Sequence, residues 1–188
     1  MICYHYPPAN TGGVQRSLKF VRFLPETGWI PVVLSTDIWG PGPEAEQEQV
    51  IRATELVTIY RRLGGKSLRS KVYAPPPTGD HRPAANDLKA RIVRILYECY
   101  RWVMFPDQQI GWVWFAFWPA LRLLRGYRIN SIYTTYPPAS AHTLGLLLKV
   151  LTRRHWVMDL RDPWTLEPMS AHLRRGGLRA RLEQGLER

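Results

Sequence analysis

Cysteine is scarce in this chain, and no apolar run is long enough to cross a bilayer. Cys3 and Cys99, the two cysteines among 188 residues, form neither a C-x-x-C pair nor a dense set. That excludes a disulfide-stapled secreted scaffold and points to a reducing cytoplasm. The best span candidate, Ile110 to Leu124, falls short of the roughly 20 apolar residues a spanning helix needs, and Pro119 and Arg122 interrupt it. The opening MICYHYPP has no basic segment leading into an apolar stretch, so no secretory leader is expected. The five histidines show no H-E-x-x-H spacing, so no protein-bound zinc is expected. A serine nucleophile elbow, G-x-S-x-G, is absent. So are G-x-G-x-x-G, Walker A, RNP, zinc-finger and helix-turn-helix signatures. Nor is there a repeat at a solenoid period.

What is present is positive charge. Lysine and arginine number 26 against 15 acidic residues, a formal net charge of +11. Such a balance favours phosphate-bearing partners: nucleic acid, an anionic bilayer or a diphosphate substrate. The basic residues are dispersed and carry no nucleic-acid motif, so nucleic acid is not expected. An apolar content of 45% excludes a wholly disordered chain, and the length suits one α/β domain with a real core.

Strand-like and helix-like runs alternate. Ile2 to Tyr6 reads as a strand end stopped by Pro7-Pro8. Gly12-Gly13 opens a helix with Val14, Leu18, Val21 and Leu24 on one stripe and Arg16, Lys19 and Arg22 off it, and Gly28 closes the segment. Ile30 to Leu34 reads as a buried parallel strand and Glu55 to Tyr60 as a weaker one. Residues 64–87, rich in glycine and proline, read as a long flexible loop. A basic helix over Leu88 to Met104 and a tryptophan-rich helix over Trp112 to Leu124 follow. Then come a strand at Ser131 to Thr135, a helix over Ala139 to Leu151, a strand at Trp156 to Leu160 and a helix from Leu178 to Glu187. This order predicts a Rossmann-like, doubly wound parallel sheet with helices on both faces, spanning residues 1–188 as one domain.

In open α/β sheets ligands bind beyond the carboxyl ends of the strands. Three polar turns follow strands here: YHYPPANTGGVQR, TTYPPASAH and DLRDPW. The glycines Gly12 and Gly13 would let backbone N–H groups approach a phosphate at a helix start, or would simply make a tight turn. In DLRDPW, Asp162 lies in the turn, where it can orient a sugar hydroxyl, while Trp164 offers an apolar face to a sugar. Alternation puts Asp159 and Arg161 on one side of the strand, where they could instead form a structural ion pair. His142 and His5 are lone histidines, a kind more often structural than catalytic. The cluster Trp102, Trp112, Trp114, Phe115, Phe117 and Trp118 reads first as core. Beside the basic helix it is also a candidate for an anionic membrane surface.

Together, YPPANTGGVQRSLKFVRFLPETGWIPVVLS, FPDQQIGW, YTTYPPASAH and WVMDLRDPW resemble, in order, segments of the amino-terminal domain of family 4 glycosyltransferases of the GT-B fold. The resemblance implies the acceptor-binding half of a retaining glycosyltransferase with a nucleotide-diphosphate sugar as donor and no separate cofactor. It makes Gly12 and Gly13 diphosphate contacts. Carried over in the same way, Asp159, Arg161 and Asp162 line the acceptor side, with Asp162 orienting the acceptor, while Thr135, Tyr136, His142 and Trp164 at the same turns are further substrate-binding candidates. Several members carry a histidine where Thr135 or Tyr136 stands here, so that histidine's role does not transfer. The nucleotide-sugar lobe and its E-x7-E pattern are not in this sequence, and Met1 to Tyr6 resembles a clipped strand. The expected partners are therefore a nucleotide sugar, a carbohydrate or lipid-linked acceptor and a missing C-terminal lobe. The expected site of action is the cytoplasm or the inner membrane face, in polysaccharide or glycolipid assembly. The alternative is a non-catalytic carbohydrate- or membrane-binding module working with a separately encoded lobe.

Overall fold

Val33–Thr36 (β1) is buried at every position, as a strand covered on both faces must be. The computed structural model describes residues 1–40, 50–55, 103–161, 181, 182 and 185, and among them the chain is mixed α/β with short parallel strands. β1 pairs in parallel with Val50–Ala53 (β2), and Ser131–Thr135 (β3) pairs in parallel with His155–Asp159 (β4). Ile2 joins the two ladders, bridging Leu34 on one side and Thr134 on the other. Its N–H donates to the Tyr133 carbonyl at 2.7 Å, and the Cys3 N–H donates to that of Leu34 at 2.9 Å. The lateral order is therefore β2, β1, the Ile2 segment, β3, β4.

Alternation of side chains sorts the interior into two clusters. Cys3, Tyr6 and Val33 pack with Val21 of helix α1 (Val14–Phe23). Ile2, Tyr4, Leu34, Ala53 and Ile132 face the other way. They pack against Trp112, Ala116 and Leu124 of α2 (Ile110–Gly126) and Leu144 and Leu148 of α3 (Ala139–Thr152). α2 runs through Pro119 without ending. Asp107 caps α3 from outside it. Its carboxylate accepts the Ser140 N–H at 2.8 Å and the Ser140 hydroxyl, and also takes the Gln109 N–H at 3.0 Å. A half-buried carboxylate there meets the free N–H groups of the helix start. Burial raises its pKa against the pull of those hydrogen bonds.

Several elements differ from the sequence expectation. β1 begins at Val33 rather than Ile30. Ile30 is 83% exposed, and Pro31 has no N–H for a ladder. β2 lies at Val50–Ala53, before the expected Glu55, which instead receives the Tyr4 hydroxyl at 2.8 Å. Residues 56–60, where that strand was expected to continue, lie outside the described residues. So do the 64–87 loop, nearly all of the Leu88 to Met104 helix and most of Leu178 to Glu187. Only Ile2 of the expected first strand makes ladder bridges. At Gly28 the backbone is left-handed, φ 82°, closing the 3-10 turn Leu24–Thr27 as a glycine permits. The tryptophan-rich segment divides: Trp112 is fully buried, whereas Trp114 and Trp118 are exposed.

Candidate functional site at the carboxyl edge

Parallel strands bring their carboxyl ends to one edge, and three turns meet there. β4 ends in Asp159, whose Oδ1 accepts Arg16 Nη1 of α1 at 2.7 Å, an ion pair across 143 positions. Its Oδ2 accepts the Tyr133 hydroxyl at 2.5 Å and that of Thr135 at 3.4 Å. Its backbone carbonyl accepts the Tyr136 N–H at 3.1 Å. Gly13 closes the third side: a Cβ built on it would lie 3.0 Å from Arg161 Nη1. The guanidinium therefore lies against the glycine turn, at a distance that a larger residue would disturb. Gly12 has open space around it. Arg52, at the carboxyl end of β2, reaches the Thr36 carbonyl at 3.3 Å and the Pro7 carbonyl, tying the Pro7-Pro8 turn to the same edge.

The electrostatics follow from these contacts. Burial alone would raise the Asp159 pKa. The bonds from Tyr133 and Arg16, the Arg16 charge and the Thr135 hydroxyl together outweigh it and hold the carboxyl below its usual value. Tyr133 is pushed up by burial and by its bond to Asp159, so it remains a proton donor. A carboxylate saturated in this way is an anchor and a weak base. Burial, with the Arg161 charge second, lowers His5 to about 4, so its ring is neutral at pH 7. That ring packs edge-on to Tyr4 and beside Trp39, and its buried Nδ1 has no hydrogen-bond partner.

Of the residues singled out in the sequence, Gly13, Thr135, Tyr136, Asp159 and Arg161 come together here, with Gly12 beside them. Asp162 and Trp164 lie outside the described residues. His142 is buried on the opposite face of β3, its Nδ1 2.7 Å from Thr134 Oγ1 and its ring stacked near Tyr136. Thr134 Oγ1 also accepts Trp156 Nε1 at 2.9 Å. Its own proton then points to His142 Nδ1, which puts the imidazole proton on the buried, unpartnered Nε2. The opposite tautomer would leave two orphan groups instead of one. Burial lowers this histidine too, to about 4.

Sequence reasoning missed Arg16, left as an off-stripe cation, and Tyr133, left as a strand residue. The signal for Arg16 was its place one turn past the Gly-Gly pair, where a side chain can reach back over the strand ends. Among the described residues no three His, Cys, Asp or Glu side chains group to hold a metal. No family model matches this chain, and no curated protein or solved structure does so either.

Proposed function

We propose that this chain is the acceptor-side lobe of a retaining glycosyltransferase that uses a nucleotide-diphosphate sugar, built as a Rossmann-like sheet with helices on both faces. The observation that carries the reading is the Gly13–Arg161 approach beside the Arg16–Asp159 pair. It sets a glycine turn, a helix start and two guanidinium groups at one strand edge, a set suited to an anionic diphosphate. The lateral strand order, with the amino-terminal segment at the centre, supports the same fold, since the chain reverses direction across the sheet there. In this reading the acceptor hydroxyl is oriented by Asp162, the turn N–H groups face the departing diphosphate, and a second lobe outside these residues holds most of the donor.

A test uses purified protein and ligand-observed NMR with nucleoside diphosphates and nucleotide sugars. Weak binding is expected, lost in Gly13→Val, whose side chain would press on Arg161, and in Arg161→Ala. The 188-residue chain alone should transfer no sugar. Binding that survives both substitutions, or turnover by this chain alone, would overturn the assignment of roles. One observation favours the second reading, a binding module without chemistry: both oxygens of Asp159 are already occupied. In that case the carbohydrate binds, but no nucleotide sugar is consumed even when a second lobe is supplied.

A further inference from the structure

The opposite end of the sheet has a different character. Between Asp107 and Asp159 the sequence has no carboxylate, while Arg122, Arg125, Arg128, Lys149, Arg153 and Arg154 supply six cations. Where α2 and α3 end, at the amino edge of β3 and β4, an open groove of about 690 Å³ is lined by Leu121, Leu124, Arg125, Arg128, Leu151 and Arg154, among others. Among the described residues, none of these arginines is paired with a carboxylate. Arg128 and Arg153 are also the two non-glycine residues there with positive φ, 49° and 56°. At Arg153 the left-handed backbone ends α3, its N–H donating to the Lys149 carbonyl at 2.7 Å, which fixes the arginine at the helix terminus.

Apolar side chains run from this groove along both helices. On α2 the exposed stripe Trp114, Trp118, Arg122 and Arg125 follows spacings of three and four, with Trp114 75% exposed. On α3, Leu147, Val150 and Leu151 do the same, with Val150 71% exposed. Arginines alone would suit any polyanion. Exposed leucine and valine beside them have no use against nucleic acid, but they suit the boundary between headgroups and acyl chains, where tryptophan also settles.

We propose that the groove end of the α2–α3 layer docks on an anionic lipid bilayer, with Arg125, Arg128 and Arg154 taking headgroup phosphates and Trp118, Val150 and Leu151 entering the interface. Forked guanidinium groups bind phosphate through paired hydrogen bonds, and each basic side chain near an anionic surface adds attraction. The contact is independent of whatever reaction the carboxyl edge supports.

The test is co-sedimentation of the purified full chain with neutral phosphatidylcholine vesicles and with vesicles containing about one-third phosphatidylglycerol, a surface of the charge this mechanism needs. Binding only to the anionic vesicles is expected, weakened by salt. The double variant Arg125→Gln/Arg154→Gln should lose roughly tenfold or more in affinity, and Trp118→Ser should weaken binding at constant charge. The control Lys19→Gln/Arg22→Gln removes the same charge from α1 and should leave binding unchanged, with melting temperatures confirming that all variants fold. Equal loss in the control would overturn the site in favour of net charge alone. No vesicle binding, or arginine-dependent binding to an oligonucleotide in its place, would overturn the bilayer as partner.

Discussion

Thr134 and Thr135 are neighbours in one strand, yet they serve regions of opposite character. Thr134 points into the α2–α3 layer, where its fully buried hydroxyl joins Trp156 and His142 in one network. Thr135 points to the α1 side, where it is the weakest of three donors on a half-buried carboxylate. Thr134 and His142 of the first network are buried, so losing the threonine hydroxyl leaves its partners unpaired. The second sits at an edge where water can replace a missing partner. The same residue type thus supports stability on one face and a candidate site on the other, because the strand period sends successive side chains to opposite faces.

The largest expected effect is in Thr134→Val, which keeps shape but strands the Trp156 N–H and His142 Nδ1. Two buried unsatisfied groups should cost about 2–5 kcal/mol, read as a lower denaturation midpoint at constant slope. A loss below about 1 kcal/mol would show that water reaches this face after all.

Gly145→Ala comes next. A Cβ there would lie 2.5 Å from Thr134 Cγ2 and 2.6 Å from Trp156 Nε1, so the helix or the indole must move. Overpacking of this kind costs about 1–3 kcal/mol. Because Gly145 touches Thr134, the double variant should depart from additivity, and simple addition of the two losses would break the picture of one packed unit.

A smaller effect is expected with pH. His5 and His142 titrate near 4 in the fold against 6.5 in a free chain. Between those values the unfolded chain binds protons that the folded chain does not, so stability falls as pH drops from 6.5 toward 4. Asp107, raised by burial, acts in the opposite sense, giving stability at low pH that is lost as pH rises through its folded pKa. The melting temperature should therefore decline below pH 6.5. His142→Gln should flatten the decline and leave the share that belongs to His5. An unchanged slope would mean that His142 is not protected.

The smallest effect is in Thr135→Val, at the more open site. Its 3.4 Å bond is one of three on Asp159, and its loss should cost less than about 1 kcal/mol. If the edge binds a diphosphate, this substitution should alter ligand binding more than stability. The reverse result, a large stability loss with unchanged binding, would erase the contrast between the two threonines.

Local signals were legible where short-range chemistry decides. The strand at Ser131–Thr135, the glycine stop at Gly28 and the helix behind Pro137-Pro138 all rest on residues within a few positions of each other. β2 was not legible, because a four-residue strand with half-buried sides carries too little periodicity to stand out. The division of the tryptophans was ambiguous for a related reason. Helical spacing places Trp112 and Trp114 on different faces, but it does not say which face meets the sheet.

Composition, the glycine turns and the order of apolar runs determined by themselves that this is a basic α/β chain with polar turns following its strands. Only the tertiary structure decided that Arg16, rather than a residue of its own loop, holds Asp159, that Asp107 caps a helix beginning 32 residues later (positions 107 and 139), and that His142 is sealed away from the edge. The physical reason is separation along the chain. Propensity and periodicity act over a turn or a strand, whereas these contacts join positions brought together only when both faces of the sheet are covered.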